Sequence, residues 1–200
     1  MEIYWHGHSC FTIKSKDATI VTDPFLMGQA LPKLKADIVT LGGEGEIAEV
    51  DGNPKILDWP GEFEVSGISI ESFKPNGDEA NVFLFQVDGM HICHLGYISH
   101  ELSDEVLNHI GDVDILMVPV GGGVVLDGKM AQKVVEAIEP RIVIPMVYAG
   151  TETKLSISGA EEFLKAVGKT ELTPIEKFSV QSRANLPEET MEFVLLEPKL

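Results

Sequence analysis

Residues 91–100, HICHLGYISH, gather three histidines, a cysteine and a tyrosine directly after an Asp88-Gly89 turn. Imidazole and thiolate groups at a strand end are common donors to a transition metal, so metal chemistry is the first reading. A zinc centre needs three or four ligands converging from separate segments, and one run cannot supply them all. His6 and His8 are spaced to share one face of a strand, but they could chelate a metal only with further donors in reach. Glu44 and Glu46 flank Gly45. Their carboxylates suit either a hard cation such as Mg²⁺ or Ca²⁺, which calls for about six oxygens, or a solvated acidic loop. Ser9 and Ser99 each have a histidine nearby in sequence, but no G-x-S-x-G elbow occurs. Gly121, Gly122 and Gly123 follow a proline without the lysine of a phosphate-binding loop, and they predict a tight turn.

The chain that must position these groups has 200 residues, 44% of them hydrophobic, enough for one compact domain over residues 1–200. A net charge of -17 repels phosphate backbones and anionic lipid unless a local basic patch overrides it. Lys33, Lys35 and Lys55 stand isolated in sequence, with no run of Lys and Arg, so neither nucleic acid nor membrane is an expected partner. The longest apolar stretch, 115–126, holds a proline and three glycines and is too short to span a bilayer. The chain shows no secretory signal pattern, and a cytoplasmic protein is expected. Cys10 and Cys93 lack C-x-x-C spacing and read as buried thiols.

Alternating apolar residues predict short strands around 3–5, 10–13, 19–22, 38–40, 55–57, 63–65 and 68–73. After a turn at Pro75-Asn76-Gly77, residues 80–87 pair with 90–94. From Ser103 the period changes. A Ser-capped helix over 103–110 stops at Gly111, and an Asp127-capped helix runs to Glu139 with Met130, Val134 and Ile138 inward. Buried strands at 115–118 and 141–144 alternate with these helices. Ser158-Gly159-Ala160-Glu161 predicts a capping box for a third helix ending near Gly168, and late strands are expected at 177–180 and 191–196. Strand-helix-strand alternation implies helices laid over a sheet, an α+β chain.

With these segments in place, the chain resembles the metallo-β-lactamase superfamily, in particular its small branch of Zn-dependent hydrolases related to ascorbate phosphate lactonase. Trp5-His6-Gly7-His8-Ser9-Cys10-Phe11 is similar to that branch's opening W-x-G-H-S-C-F, and Val21-Thr22-Asp23-Pro24-Phe25 to its strand ending in D-P. Pro60-Gly61-Glu62-Phe63-Glu64-Val65, His94-Leu95-Gly96, Val118-Pro119-Val120-Gly121-Gly122 and Ile144-Pro145-Met146 follow in order. The resemblance covers nearly the whole chain. It implies an αββα four-layer sandwich, with an active site along one edge of two facing sheets.

The resemblance also implies a histidine-rich loop, T-H-x-H-x-D-H, holding zinc ions that activate water. This chain instead reads Thr40-Leu41-Gly42-Gly43-Glu44-Gly45-Glu46, and it has no histidine between Ser9 and Met90. Where the family's bridging aspartate is expected stands Tyr97, and where a later histidine is expected stands Val147. A phenol is a poor zinc ligand at neutral pH, and a hydrocarbon is none. No zinc or other cofactor is therefore expected. The vestigial site would comprise His8, Asp23, Glu44, Glu46, His94, Tyr97, Val147 and Tyr148. His8 is expected to be structural, Asp23 to hold the 41–45 backbone, and His94 and His100 to play supporting roles. Tyr97 and Tyr148 would line the vacated cavity, while His91 and His109 would sit at the surface. The leading expectation is a non-catalytic structural, binding or regulatory subunit, paired with itself or with a metal-competent relative. A divergent hydrolase, metal-dependent or metal-free, and a small-molecule sensor using the old cleft remain as alternatives.

Overall fold

The structure is a computed structural model describing residues 1–28, 30–75, 79–150 and 153–199. Along these residues run strands β1 (Glu2–Trp5), β2 (Phe11–Lys14), β3 (Thr19–Thr22), β4 (Leu34–Lys35), β5 (Ile38–Thr40), β6 (Val50–Asp51), β7 (Lys55–Leu57), β8 (Gly61–Val65), β9 (Ile68–Phe73), β10 (Val82–Val87) and β11 (Met90–His94). Helices enter only after this point: α1 (Asp104–Ile110), β12 (Ile115–Pro119), α2 (Gly128–Ile138), β13 (Ile142–Met146), α3 (Glu161–Ala166), β14 (Phe178–Ser179) and β15 (Glu192–Phe193). The predicted turn at Pro75-Asn76-Gly77 falls largely outside the described residues.

Two sheets face each other. One has the order β14-β1-β2-β3-β5-β7 and the other β15-β13-β12-β11-β10-β9-β8. Period-two alternation aims Ile3, Trp5, Phe11, Ile13, Ile20 and Ile38 at the interior, against Phe83, Phe85 and Ile92 of the other sheet. Each such side chain, at 0–2% exposure, contributes ~1.5–3 kcal/mol by leaving water. Strands β12 and β13 are buried at every position, as strands covered on both faces must be. Their outer cover is helical: α2 packs on β12 and on α3.

The fold is the α+β sandwich of the metallo-β-lactamase type, with its described helices on the seven-stranded side. Over the six-stranded sheet the outer layer is chain rather than helix. Cys10, Val21 and Val39 point outward there and are covered by Phe25, Leu34 and Leu41 in a second apolar cluster, with β4 and β6 paired in parallel at its rim. Nothing in the 24–52 stretch announces so short a ladder, since two-residue strands have no periodicity to read.

Helix boundaries follow local chemistry. The Ser103 hydroxyl accepts from Val106 N–H, and Gly111 closes α1 at φ 63°. Asp127 caps α2 by accepting from Lys129 and Met130 N–H, and the buried face is Ala131, Val134 and Val135, with Met130 and Ile138 on its flanks. The capping box at Ser158 does not form. Ser158 N–H donates to Gly121 O and Ser158 O accepts from Ala149 N–H, so its backbone is tied to neighbouring loops and α3 starts from Ala160 without a side-chain cap. No helix among the described residues is long and apolar enough to cross a membrane.

Candidate functional site

The loops at one end of the sheets bring Asp23, Gly42, Gly43, Glu44, Asn81 and Tyr97 to one edge. His6, Gly7 and His8 form a turn rather than a strand, with Cys10 N–H donating to Gly7 O and Gly7 at φ 96°. His6 and His8 therefore do not share a strand face. The buried His8 sits at φ 50°, and its carbonyl accepts from Trp5 Nε1–H at 2.8 Å and from Val147 N–H at 3.1 Å. That oxygen joins the first turn of the chain to the end of β13. The neighbouring Ser9 carbonyl accepts from the Thr22 hydroxyl at 2.8 Å and from His94 Nε2–H at 3.0 Å, which joins the two sheets and fixes the His94 tautomer.

Asp23 is 1% exposed at φ 43°, and its Oδ1 accepts Gly42 N–H at 2.5 Å. Asn81 completes the clamp. Its N–H donates to Gly42 O at 2.8 Å, while its side-chain amide donates to Leu41 O and Asp58 O. A Cβ on Gly42 would lie 3.1 Å from Asn81 O and 3.2 Å from both Asp23 oxygens, so the clamp closes tightly on the Gly42 backbone, between the expected ligand positions 41 and 43, where Leu41 and Gly43 stand. Three non-glycine residues, His8, Asp23 and Val147, hold left-handed backbone at this edge. For the β-branched Val147, at φ 50°, that conformation is strained, and such strain collects at functional edges.

Burial sets the electrostatics. It raises the Asp23 pKa, an effect that His94, the Gly42 N–H and Ser9 partly offset. Burial lowers the His94 pKa against the pull of Asp23. The Tyr97 phenol is pushed up by burial and then by Asp23. Each group is thus driven toward its uncharged form. The Ser9 hydroxyl, the second Asp23 oxygen and the Tyr97 hydroxyl make no hydrogen bond of normal geometry among the described residues, yet they lie close enough to act on one another's ionisation.

Outside this buried cluster an open cleft of about 710 Å³ is lined by Gly43, Glu44, Asp58, Glu79, Asn81 and Tyr97, with Lys74 and Ser99 at its wall. The structure divides the expected set. Glu44 and Tyr97 reach the cleft; His8, Asp23 and His94 are buried behind it; Glu46 is exposed and does not line it. Tyr148 does not line it either. Its ring stacks on Trp5 at 4.9 Å, a packing role. His91 and His109 are exposed as expected, and His109 Nε2 meets Glu71 at 2.7 Å. Ser99 Oγ lies 2.9 Å from His100 Nδ1 at the rim. No local pattern points to Asn81, whose role depends on a tertiary approach to the 41–42 backbone.

The residues present do not fit a zinc ion. Asp23 Oδ1 is taken by Gly42 N–H and His94 Nε2 by Ser9 O, and Val147 offers only hydrocarbon. No group of three or more His, Cys, Asp or Glu side chains converges to hold a metal among the described residues.

Comparison with known proteins matches this architecture. The Beta-lactamase superfamily domain matches residues 2–147. A UPF0173 protein of Pyrococcus abyssi is 28% identical over 214 residues, covering 90% of this chain and all of the relative. A UPF0173 metal-dependent hydrolase of Thermoplasma acidophilum is 29% identical over 187 residues, covering 74% and 83%. The crystal structure of a Thermotoga maritima protein, assigned as a Zn-dependent hydrolase of the metallo-β-lactamase superfamily, superposes with a TM-score of 0.85 at 30% identity over 98% of both chains. The sandwich, the edge at which its loops meet and the match over most of the sequence agree: the chain belongs to the metallo-β-lactamase superfamily.

Proposed function

We propose that this chain is a member of the superfamily that does not perform metal-dependent hydrolysis and acts instead as a ligand-binding or regulatory subunit. The reading rests on one observation: the loop that should carry the histidines has Leu41, Gly43, Gly45 and Glu46 at its ligand positions, and Asp23 Oδ1 accepts the Gly42 N–H of that loop. Tyr97 and Val147 at the other two expected ligand positions support it. The cleft is still open, so binding without turnover is favoured over a purely structural role. Its lining sets Glu44, Asp58 and Glu79 against Lys74, which suits a cationic or neutral metabolite better than a phosphorylated one. The subunit's partner is a second copy or a metal-competent relative.

The test is metal analysis of tag-free protein grown with zinc, run beside turnover of phosphodiester, lactone and β-lactam substrates. The expected result is far less than one zinc per chain and no turnover. Stoichiometric zinc with zinc-dependent turnover overturns the proposal. A second reading, metal-free hydrolysis, is favoured by the Ser99–His100 contact at the cleft rim. It predicts ester turnover abolished by Ser99→Ala.

A further inference from the structure

The isolated lysines of the sequence do not stay isolated. Lys33 and Lys35, from the connection before β5, meet Lys14 of β2 and Lys199 around a cleft of about 490 Å³ on the outer face of the six-stranded sheet. Lys55 stays apart, with its ammonium 6.0 Å from the Trp59 ring. The cleft floor is Tyr4, His6, Thr12 and Leu34, and among the described residues Asp37 is the only acidic side chain in the lining. It shares no residue with the cleft at the sheet edge.

The arrangement runs against the composition of the chain. Acidic residues number 32 against 15 basic ones, yet no carboxylate of the described residues comes within ion-pair distance of Lys14, Lys35 or Lys199. Among the described residues Lys33 alone of these lysines is paired, with Asp51 at 3.0 Å. Tyr4 holds the ammonium groups in place. Its ring centroid lies 4.2 Å from Lys199 Nζ, 5.1 Å from Lys14 Nζ and 5.8 Å from Lys177 Nζ. Its hydroxyl donates to Glu2, and Glu2 pairs with Lys177, which leaves Lys14 and Lys199 without a salt bridge over the ring among the described residues. Asp37 is partly spent on Thr19 N–H. His6 Nδ1–H donates to Lys199 O at 2.7 Å, so Nε2 accepts from the Thr12 hydroxyl at 2.8 Å. These two bonds fix the floor and the backbone that carries Lys199.

We propose that this cleft is a binding site for a small soluble anion bearing phosphate groups. Its volume falls within the range of small-molecule sites. Lysine ammonium groups bind phosphate as point charges and need no bidentate geometry. The chain's overall charge does not prevent this, because at ordinary salt fields are screened beyond about 10 Å and a small ligand inside the cleft feels chiefly its walls. A polymer or a lipid surface would also span the acidic remainder. The proposal stands independently of the reading of the edge cleft.

The experiment is calorimetric titration of the full chain with sodium pyrophosphate, against sodium chloride at matched ionic strength. One saturable site is expected, weakened at least tenfold in Lys14→Gln/Lys199→Gln and changed less than twofold in Lys129→Gln, which lies on α2. Circular dichroism checks that the double variant is folded. Absence of saturable binding at millimolar pyrophosphate overturns the proposal, as does binding indifferent to the double substitution. Vesicles containing phosphatidic acid form a second arm: capture by vesicles without binding of soluble pyrophosphate refutes the soluble ligand. A dimer dissociated by the double substitution, with no pyrophosphate bound, refutes it equally and makes this face an interface between copies.

Discussion

Replacing Asp23 by alanine and by asparagine separates its two roles, as acceptor for the loop and as buried charge. Alanine leaves the Gly42 N–H without its acceptor inside the protein, at ~1–3 kcal/mol, and the vacated volume adds to that loss. At roughly 2–4 °C per kcal/mol for a chain of this size, Asp23→Ala should melt several degrees lower. Asparagine keeps the shape and the acceptor and removes the ionisation. Burial raises the Asp23 pKa in the folded protein, so the native state holds the proton more tightly than the unfolded chain does. Stability from this group is then complete below the unfolded value near 3.9 and falls as pH rises through the folded value. Above that window the wild type bears a buried anion and Asp23→Asn does not. Urea unfolding followed by tryptophan fluorescence between about pH 5 and 8 reads both effects. The asparagine variant should equal or exceed wild type at neutral pH, with a flatter profile, while the alanine variant is weaker throughout. If asparagine loses as much as alanine at neutral pH and the slope is unchanged, the carboxylate charge itself holds the loop and the desolvation argument is wrong.

Two further outcomes follow from the same edge. Trp5→Phe removes the indole N–H that donates to the His8 carbonyl and loosens the stack on Tyr148, so it should cost ~1–3 kcal/mol by calorimetry; an unchanged melting temperature would remove the His8 carbonyl from its place as a junction. Cys10 and Cys93 are free, buried and pushed by burial toward the protonated thiol, so a disulfide reagent should label neither in the native protein and both in urea. Fast native labelling contradicts that burial.

The sandwich was legible because its strands are short, alternating and separated by turn residues. The Asp88-Gly89 hairpin is a case in which two positive φ angles, 51° and 75°, match the residue types. The caps of α1 and α2 were legible because a cap is chemistry within four residues. Ser158 misled because its backbone is taken by Gly121 and Ala149, partners that no local pattern encodes. At the edge, the absence of histidine from residues 40–46 is read directly from residue type, whereas the clamp on Gly42 depends on Asn81 reaching across to the loop. The lysine cleft was invisible for the same reason: its members lie at 14, 33, 35 and 199, and only the folded sheet assembles them.

Strand β14 adds to the edge of β1 through Glu2↔Ser179 and Ile3↔Phe178, so the opening strand of the chain finds its outer neighbour some 176 positions later. During synthesis, β1 must wait with that edge uncovered until residues 178 and 179 have been made. The six-stranded sheet therefore stays incomplete until β14 emerges, and a nascent chain halted before residue 178 should expose β1 to proteases or to chaperones that the finished protein escapes.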